Sequence, residues 1–162
     1  MHHSKIKNRK QKTKNISYHI EGKHTALFFK EENKMKITFR SQEHYDFYKD
    51  MLKQSPTVDS YHQGLFYTLG ISTDCRNHID DLYDKKTDRI KIEGLDKGWQ
   101  TSGSREITLF AFNLWNNFTL EDSKQMTPYN LFASGNAPYF MEALKVKYPD
   151  FCHDISKERS ER

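Results

Sequence analysis

The sequence predicts an α+β fold: one mostly helical domain of five to six helices with a small two- or three-stranded sheet. Three observations carry that prediction. Apolar residues recur at helical spacing in several segments, most of them bounded by a capping residue and by Pro or Gly. Two short stretches instead alternate apolar and polar residues, the period of a strand with one buried face. No repeat or low-complexity insert divides residues 35–152 of the 162, so they are read as one domain with one core. Apolar residues make up 35% of the chain and aromatics 14%. The core must therefore lean on Phe and Tyr, whose rings bury large area per residue.

The elements follow in order. "MKITFRS" alternates Ile37 and Phe39 with Lys36, Thr38 and Arg40 and is the first strand. Ser41 offers an N-cap to "QEHYDFYKDMLKQ", where Tyr45, Tyr48 and Leu52 share a face with Phe47 and Met51 beside them. Ser55-Pro56 ends it, because a residue before Pro is pushed out of the helical region. Asp59 or Ser60 caps the next helix, with Val58, Tyr61, Leu65 and Leu69 as its stripe and Gly70 as its stop. Gly64 in its middle costs about 1 kcal/mol relative to Ala, which points either to another backbone passing close or to simple tolerance. Thr73 opens a short third helix, "DCRNHIDDLYD". "DRIKIEGL" alternates Ile90, Ile92 and Leu95 and is the second strand, expected to pair with residues 36–39. A long helix runs from about Arg105 to Phe118, with Ser102 or Ser104 as its expected cap. Thr127-Pro128 begins a short one in cap-then-Pro order. Ser134 or Asn136 opens the last, "APYFMEALKVKYP", closed by Tyr148-Pro149. Residues 153–162 are charged and expected to fray.

A net charge of +4 suggests nucleic acid until the charge is located. Residues 1–34 hold nine Lys or Arg against three acids; the remainder holds seventeen against nineteen. The folded body is thus slightly acidic. Residues 1–34 are read as a basic leader or N-terminal extension, its first fifteen residues too polar to offset the entropy of ordering them. This tail is the sole support for direct nucleic-acid binding. Lys30-Glu31-Glu32 can be encoded as AAG-GAG-GAG, which resembles a bacterial ribosome-binding sequence set two codons ahead of Met35. Met35 is therefore a candidate natural start. "TALFFK", residues 25–30, argues the other way, since it could form a short strand. No run of about eighteen apolar residues spans a membrane, and no secretory signal follows the basic start. Two cysteines, Cys75 and Cys152, suit a reducing cytoplasm better than a disulfide scaffold. The expected localisation is cytoplasmic, without a membrane partner.

The most apolar segment is "GWQTSGSREITLFAFNLWNN". Ile107, Phe110, Ala111, Leu114 and Phe118 form one stripe at helical spacing. Thr108, Phe112 and Trp115 form a second, rotated from it. A helix apolar on two faces is either wrapped by its neighbours or shows one face to a partner; the wrapped reading makes it the hub of the core. Its start carries orphan N–H groups and partial positive charge. Trp99, Gln100, Thr101, Ser102 and Ser104 surround that start, and Gly103 allows close approach. Such a turn could hold an anion or a nucleotide; it equally describes a well-capped strand-to-helix turn. It has neither the Walker spacing nor GxGxxG.

His62, Arg76 and His78 lie on consecutive helices and could converge as acid, base and phosphate clamp. They could instead pair with carboxylates such as Asp80 and Asp81. With Tyr61 beside His62, the candidate binding set is Tyr61, His62, Arg76, His78, Trp99, Gln100, Thr101, Ser102 and Ser104. No catalytic residue is assigned. Cys75 with His78 and Cys152 with His153 could supply zinc ligands, but neither pair has zinc-finger spacing. The expectation is no metal and no cofactor, with both thiols acting as small hydrophobes. Asp80, Asp81, Asp84 and Asp88 are read as a solvated acidic face.

"YHQGLFYTLGISTDCRNHIDDLYD", "GWQTSGS", "AFNLWNN" and "YFMEALKVKYPDFC", in that order, resemble a family of small proteins of unknown function carried on phages, plasmids and conjugative elements of Gram-positive bacteria. The resemblance covers about Phe39 to Cys152 and carries over no site residues. It implies accessory, regulatory or counter-defence roles. The leading expectation is a non-enzymatic protein that binds and inhibits or redirects a host or phage protein. A nucleic-acid-bound, nuclease-based defence complex would be such a target, by analogy with anti-CRISPR proteins. It predicts an exposed aromatic or acidic patch. The alternative is a nucleotide-binding protein or a phosphodiesterase- or nuclease-type enzyme using the 99–104 turn with His62, Arg76 and His78. A third reading is a DNA-binding regulator acting through residues 1–34.

Overall fold

Four of the seven helix starts lie where a side-chain oxygen takes an orphan N–H. Ser41 accepts from the His44 N–H and opens α1 (Gln42–Gln54). Asp59 accepts from Tyr61 and His62 and opens α2 (Ser60–Gly70). Ser72, rather than Thr73, caps α3 (Thr73–Asn77), and the chain breaks at His78 before α4 (Ile79–Leu82). Thr101 caps α5 (Ser102–Asn116) in a reciprocal capping box with Ser104. Thr127 and Asn136 precede α6 (Pro128–Phe132) and α7 (Ala137–Lys147) without a side-chain cap bond, and each of these helices has a proline, Pro128 or Pro138, in its first turn. The computed structural model describes residues 16–18, 36–121 and 123–152. Among them are these seven helices, two 3-10 turns at Ile92–Asp96 and Ser123–Met126, and four short strands, so the domain is α+β and mostly helical.

The strands pair differently from the sequence expectation. β2 (Ile37–Phe39) pairs antiparallel with β1 (Ile16–Tyr18), with Ile16 opposite Phe39 and Tyr18 opposite Ile37. Of residues 1–34, only this strand is described; 1–15 and 25–30 lie outside the described residues, as do 153–162. β4 (Arg89–Ile90) pairs with β3 (Tyr83–Asp84), not with residues 36–39. Asp88, in the left-handed region at φ 57°, turns the chain between them. The expected strand "DRIKIEGL" stops early because Gly94 packs against the Asp81 carbonyl and Leu82. The chain there forms the 3-10 turn at Ile92–Asp96, where only a glycine fits at position 94, and Ile92 is left exposed.

The centre of the core is α2, not α5. Residues 64–70 are all buried, and α2 packs against α1, α5 and α7. Small residues make this possible. A Cβ on Gly64 would meet the Lys147 side chain at 3.3 Å, so the close neighbour is the stem of an α7 lysine rather than a bare backbone. Gly70 lies against the His44 ring; its φ is not positive, so it marks a close approach rather than a left-handed stop. α5 is one wall of this arrangement and buries Ile107, Leu109, Phe110, Phe112 and Leu114. Val58 and Tyr61, expected in the buried stripe of α2, are exposed.

Candidate functional site

Two clefts open on the surface of the described residues, and they take in four of the nine predicted site residues, Tyr61 in one and Arg76, Thr101 and Ser104 in the other. The first, about 930 Å³, lies where four helices begin: the N-cap residues Ser41, Ser72, Thr101 and Asn136 all line it. Arg40, Arg76, Gly103, Ser104 and Tyr139 complete the polar wall. Arg76 and the 101–104 turn are therefore brought together as the anion-pocket reading requires. Their polar atoms are engaged, however. Arg76 donates through Nη1 to the Gly70 carbonyl at 2.6 Å and through Nη2 to Thr73 Oγ1 at 3.0 Å. Arg40 donates to Asn136 Oδ1 at 3.2 Å and lies 5.6 Å from the Tyr139 ring centre. Thr101 N–H donates to Ser104 Oγ at 2.8 Å, and Ser104 Oγ, itself buried, donates to Gln100 Oε1 at 2.8 Å. Glu43 and Asp74 also line the cleft and offset the two guanidinium charges. Ser102 stays exposed in the first turn of α5.

The remaining candidates lie elsewhere. His78 stacks on Trp99 with ring centres 4.6 Å apart and planes 7° from parallel. Trp99 Nε1 donates to Asp81 Oδ2 at 2.9 Å. That hydrogen bond, with Lys97 and His78 nearby, holds the Asp81 carboxyl below the usual carboxylate range. The ring on which Trp99 stacks thus belongs to the chain itself. Gln100 donates to the Gly94 carbonyl at 3.1 Å and tethers the 3-10 turn to α5.

His62 is buried between two carboxylates, with Nδ1 2.9 Å from Asp59 Oδ1 and Nε2 3.0 Å from Asp88 Oδ1. The Tyr83 hydroxyl donates to the same Asp88 oxygen. Burial pushes the Asp59 carboxyl up, but the backbone and ring hydrogen bonds of His62 outweigh it, and Asp59 is held below the ordinary range. This network pins the β3–β4 hairpin to the start of α2. His62 and His78 line neither cleft, so the three-residue convergence with Arg76 does not form. The acidic run likewise works internally: Asp84 accepts from Lys86 N–H and Thr87 Oγ1 at 2.9 and 2.8 Å, and Asp80 alone of the four is largely exposed. Cys75 is buried against Thr108, at 3.5 Å, and burial pushes its thiol up. Among the described residues no group of three or more His, Cys, Asp or Glu could hold a metal ion. His153 lies outside them.

The second cleft, about 810 Å³, is aromatic. Tyr61 at the start of α2, Trp115 near the end of α5, and Tyr148 and Phe151 beyond α7 line it with Pro149 and Lys147. Tyr61 is 53% exposed, Tyr148 41% and Phe151 82%. The Lys147 ammonium lies 3.0 Å from the Tyr61 ring centre and 5.7 Å from that of Tyr148. Burial lowers the Lys147 pKa from the ordinary lysine value. Asn113, Asn116 and Asn117 line the polar side. Of these residues only Tyr61 was a sequence candidate. Trp115 had a signal, the second stripe of α5. Tyr148 and Phe151 had a weaker one: two rings crowded around Pro149 after the last helical turn.

Residues 34–160 match the family of unknown function DUF6075. The chain belongs to that family. No curated protein and no solved structure matches it. Both clefts and β2 fall inside the DUF6075 match, whereas β1 precedes it. No helix among the described residues is long and apolar enough to cross a membrane.

Proposed function

We propose that this DUF6075 protein is a non-catalytic binding protein that docks a partner protein in the aromatic cleft. The carrying observation is the exposure of Tyr61, Tyr148 and Phe151 around Trp115. Large rings left in water at one concave place are the usual anchors of protein interfaces, where a few aromatics supply most of the binding free energy. The order of the sequence blocks supports the finer reading: a cytoplasmic accessory protein of a Gram-positive phage or conjugative element. Its action is to inhibit or redirect a host factor, with a nuclease-based defence complex as the first class to test. The test is affinity capture from bacterial lysate with the intact chain, a Tyr148→Ala/Phe151→Ala variant and an Arg76→Ala variant. The captured protein is expected to fall at least tenfold with the aromatic variant and to persist with Arg76→Ala. Equal capture by the aromatic variant would overturn the proposal.

A second reading has its own observation, the meeting of Arg40, Arg76 and the 101–104 turn in one cleft. Two guanidinium groups and several helix starts suit a small anionic ligand such as a phosphate ester. With both histidines elsewhere, this reading is one of binding, without acid–base chemistry.

A further inference from the structure

The two edges of β2 are closed in different ways. On one edge the Thr38 N–H donates to Glu142 Oε2 of α7 at 2.9 Å, and the Thr38 carbonyl accepts from the Tyr67 hydroxyl of α2 at 2.5 Å. Lys145 holds Glu142 in place at 2.6 Å. Along an antiparallel strand, successive residues turn their backbone groups to opposite edges. With Thr38 turned toward α2 and α7, the N–H and C=O groups of Ile37 and Phe39 face β1, which agrees with the register. Ile37 and Phe39 are buried, and β2 packs on α1 and α7. The body therefore holds β2 in place, with one row of backbone groups presented outward.

The strand filling that row is short. β1 contributes three residues, and eighteen residues separate Tyr18 from Ile37, so no tight turn sets the pairing. β1 also precedes the stretch matched to the family, while the accepting strand and both side-chain clamps lie within it.

We propose that the outward edge of β2 is a strand-accepting site that takes an extended segment of another protein in place of Ile16–Tyr18. Recognition is by main-chain hydrogen bonds to Ile37 and Phe39. Cross-strand partners share a face, and the face carrying Ile37 and Phe39 is buried. The incoming strand therefore carries apolar or aromatic residues at the two paired positions. This site is separate from the aromatic cleft, and its test can fail without touching that reading.

The test uses the full chain and an Ile16→Pro/Tyr18→Pro variant, in which β1 loses both N–H donors that face β2. The probe is a fluorescein-labelled peptide of residues 13–21. Its dissociation constant is expected to be at least tenfold lower for the variant than for the parent chain. The Ile37 and Phe39 amides should exchange at least tenfold faster in the variant and regain protection on peptide addition, with α2 amides unchanged throughout. Equal affinity for the two chains would overturn the proposal. So would loss of α2 protection in the variant, which would make β1 part of the fold. A dimer of the parent chain that exchanges β1 between copies would reassign the edge to a second copy.

Discussion

The arginine cleft and the aromatic cleft are of similar size, about 930 and 810 Å³, but their linings do opposite work. In the first, nearly every polar side chain is tied to the fold: Arg76 to the end of α2, Arg40 to the start of α7, Thr101 and Ser104 to each other. In the second, Tyr148 and Phe151 project into water. Polar groups placed close together can satisfy one another, so a chemically suggestive cluster is often capping and bracing. Apolar rings have no such internal remedy; only a covering surface removes them from water. The residues that look least like a site are for that reason the stronger evidence of one.

The largest expected effect tests whether the wall behind the arginine cleft is structural. His44 is buried there, accepting the Arg40 N–H at Nδ1 (3.2 Å) and contacting the Tyr67 carbonyl through Nε2 (2.7 Å), which sets the neutral Nε2–H tautomer. Burial pulls its pKa down to about 3. An unfolded histidine titrates near 6.5, so as pH falls below that value the unfolded chain takes a proton the folded one refuses. Stability should fall by about 2 kcal/mol between pH 6.5 and 4.5, read from urea midpoints. His44→Gln should flatten that slope, and an unchanged slope would show that His44 is not its source. Below about pH 4, Asp59 and Asp81, both held low, add losses of the same sign.

Gly70 touches the same ring. Gly70→Ala would drive a methyl into His44 and should cost about 2 kcal/mol, visible as a lower melting temperature. A neutral result would mean that the wall yields and that the cleft is softer than its hydrogen bonds imply.

Gly103 faces open space: a methyl group on its Cα would have Thr101 Oγ1, at 4.0 Å, as its nearest neighbour. Gly103→Ala in α5 should therefore stabilise the fold by roughly 0.5 kcal/mol. If the arginine cleft only braces the structure, orthophosphate should shift the melting temperature of neither chain. A shift in the parent that Gly103→Ala abolishes would make the cleft a ligand site and reverse the ranking of the two clefts.

Helix identity was largely legible because its signals are local. Ser41 and Ser55-Pro56 bounded α1 to the residue, and Thr127-Pro128 and Tyr148-Pro149 marked α6 and α7. Strand pairing was not, because a two- or three-residue strand carries no sign of its partner. The alternation of Ile90, Ile92 and Leu95 was broken by a contact between Gly94 and Asp81 that spacing does not encode. The candidate site was half legible. Arg76 and the 101–104 turn meet; His62 is taken by Asp59 and Asp88, and His78 by Trp99.

Caps, prolines and apolar period act over a single turn, so the class of the fold, the bounds of α1 and α7 and the aromatic character of the core could be read from the chain alone. Only the tertiary structure decided that α2 rather than α5 is the hub, that Ile16–Tyr18 closes β2, and that four rings from three distant segments share one cleft. Those outcomes depend on which glycines let neighbours approach and on which polar groups find partners first. Such choices are made between segments far apart in the chain, and no local pattern records them.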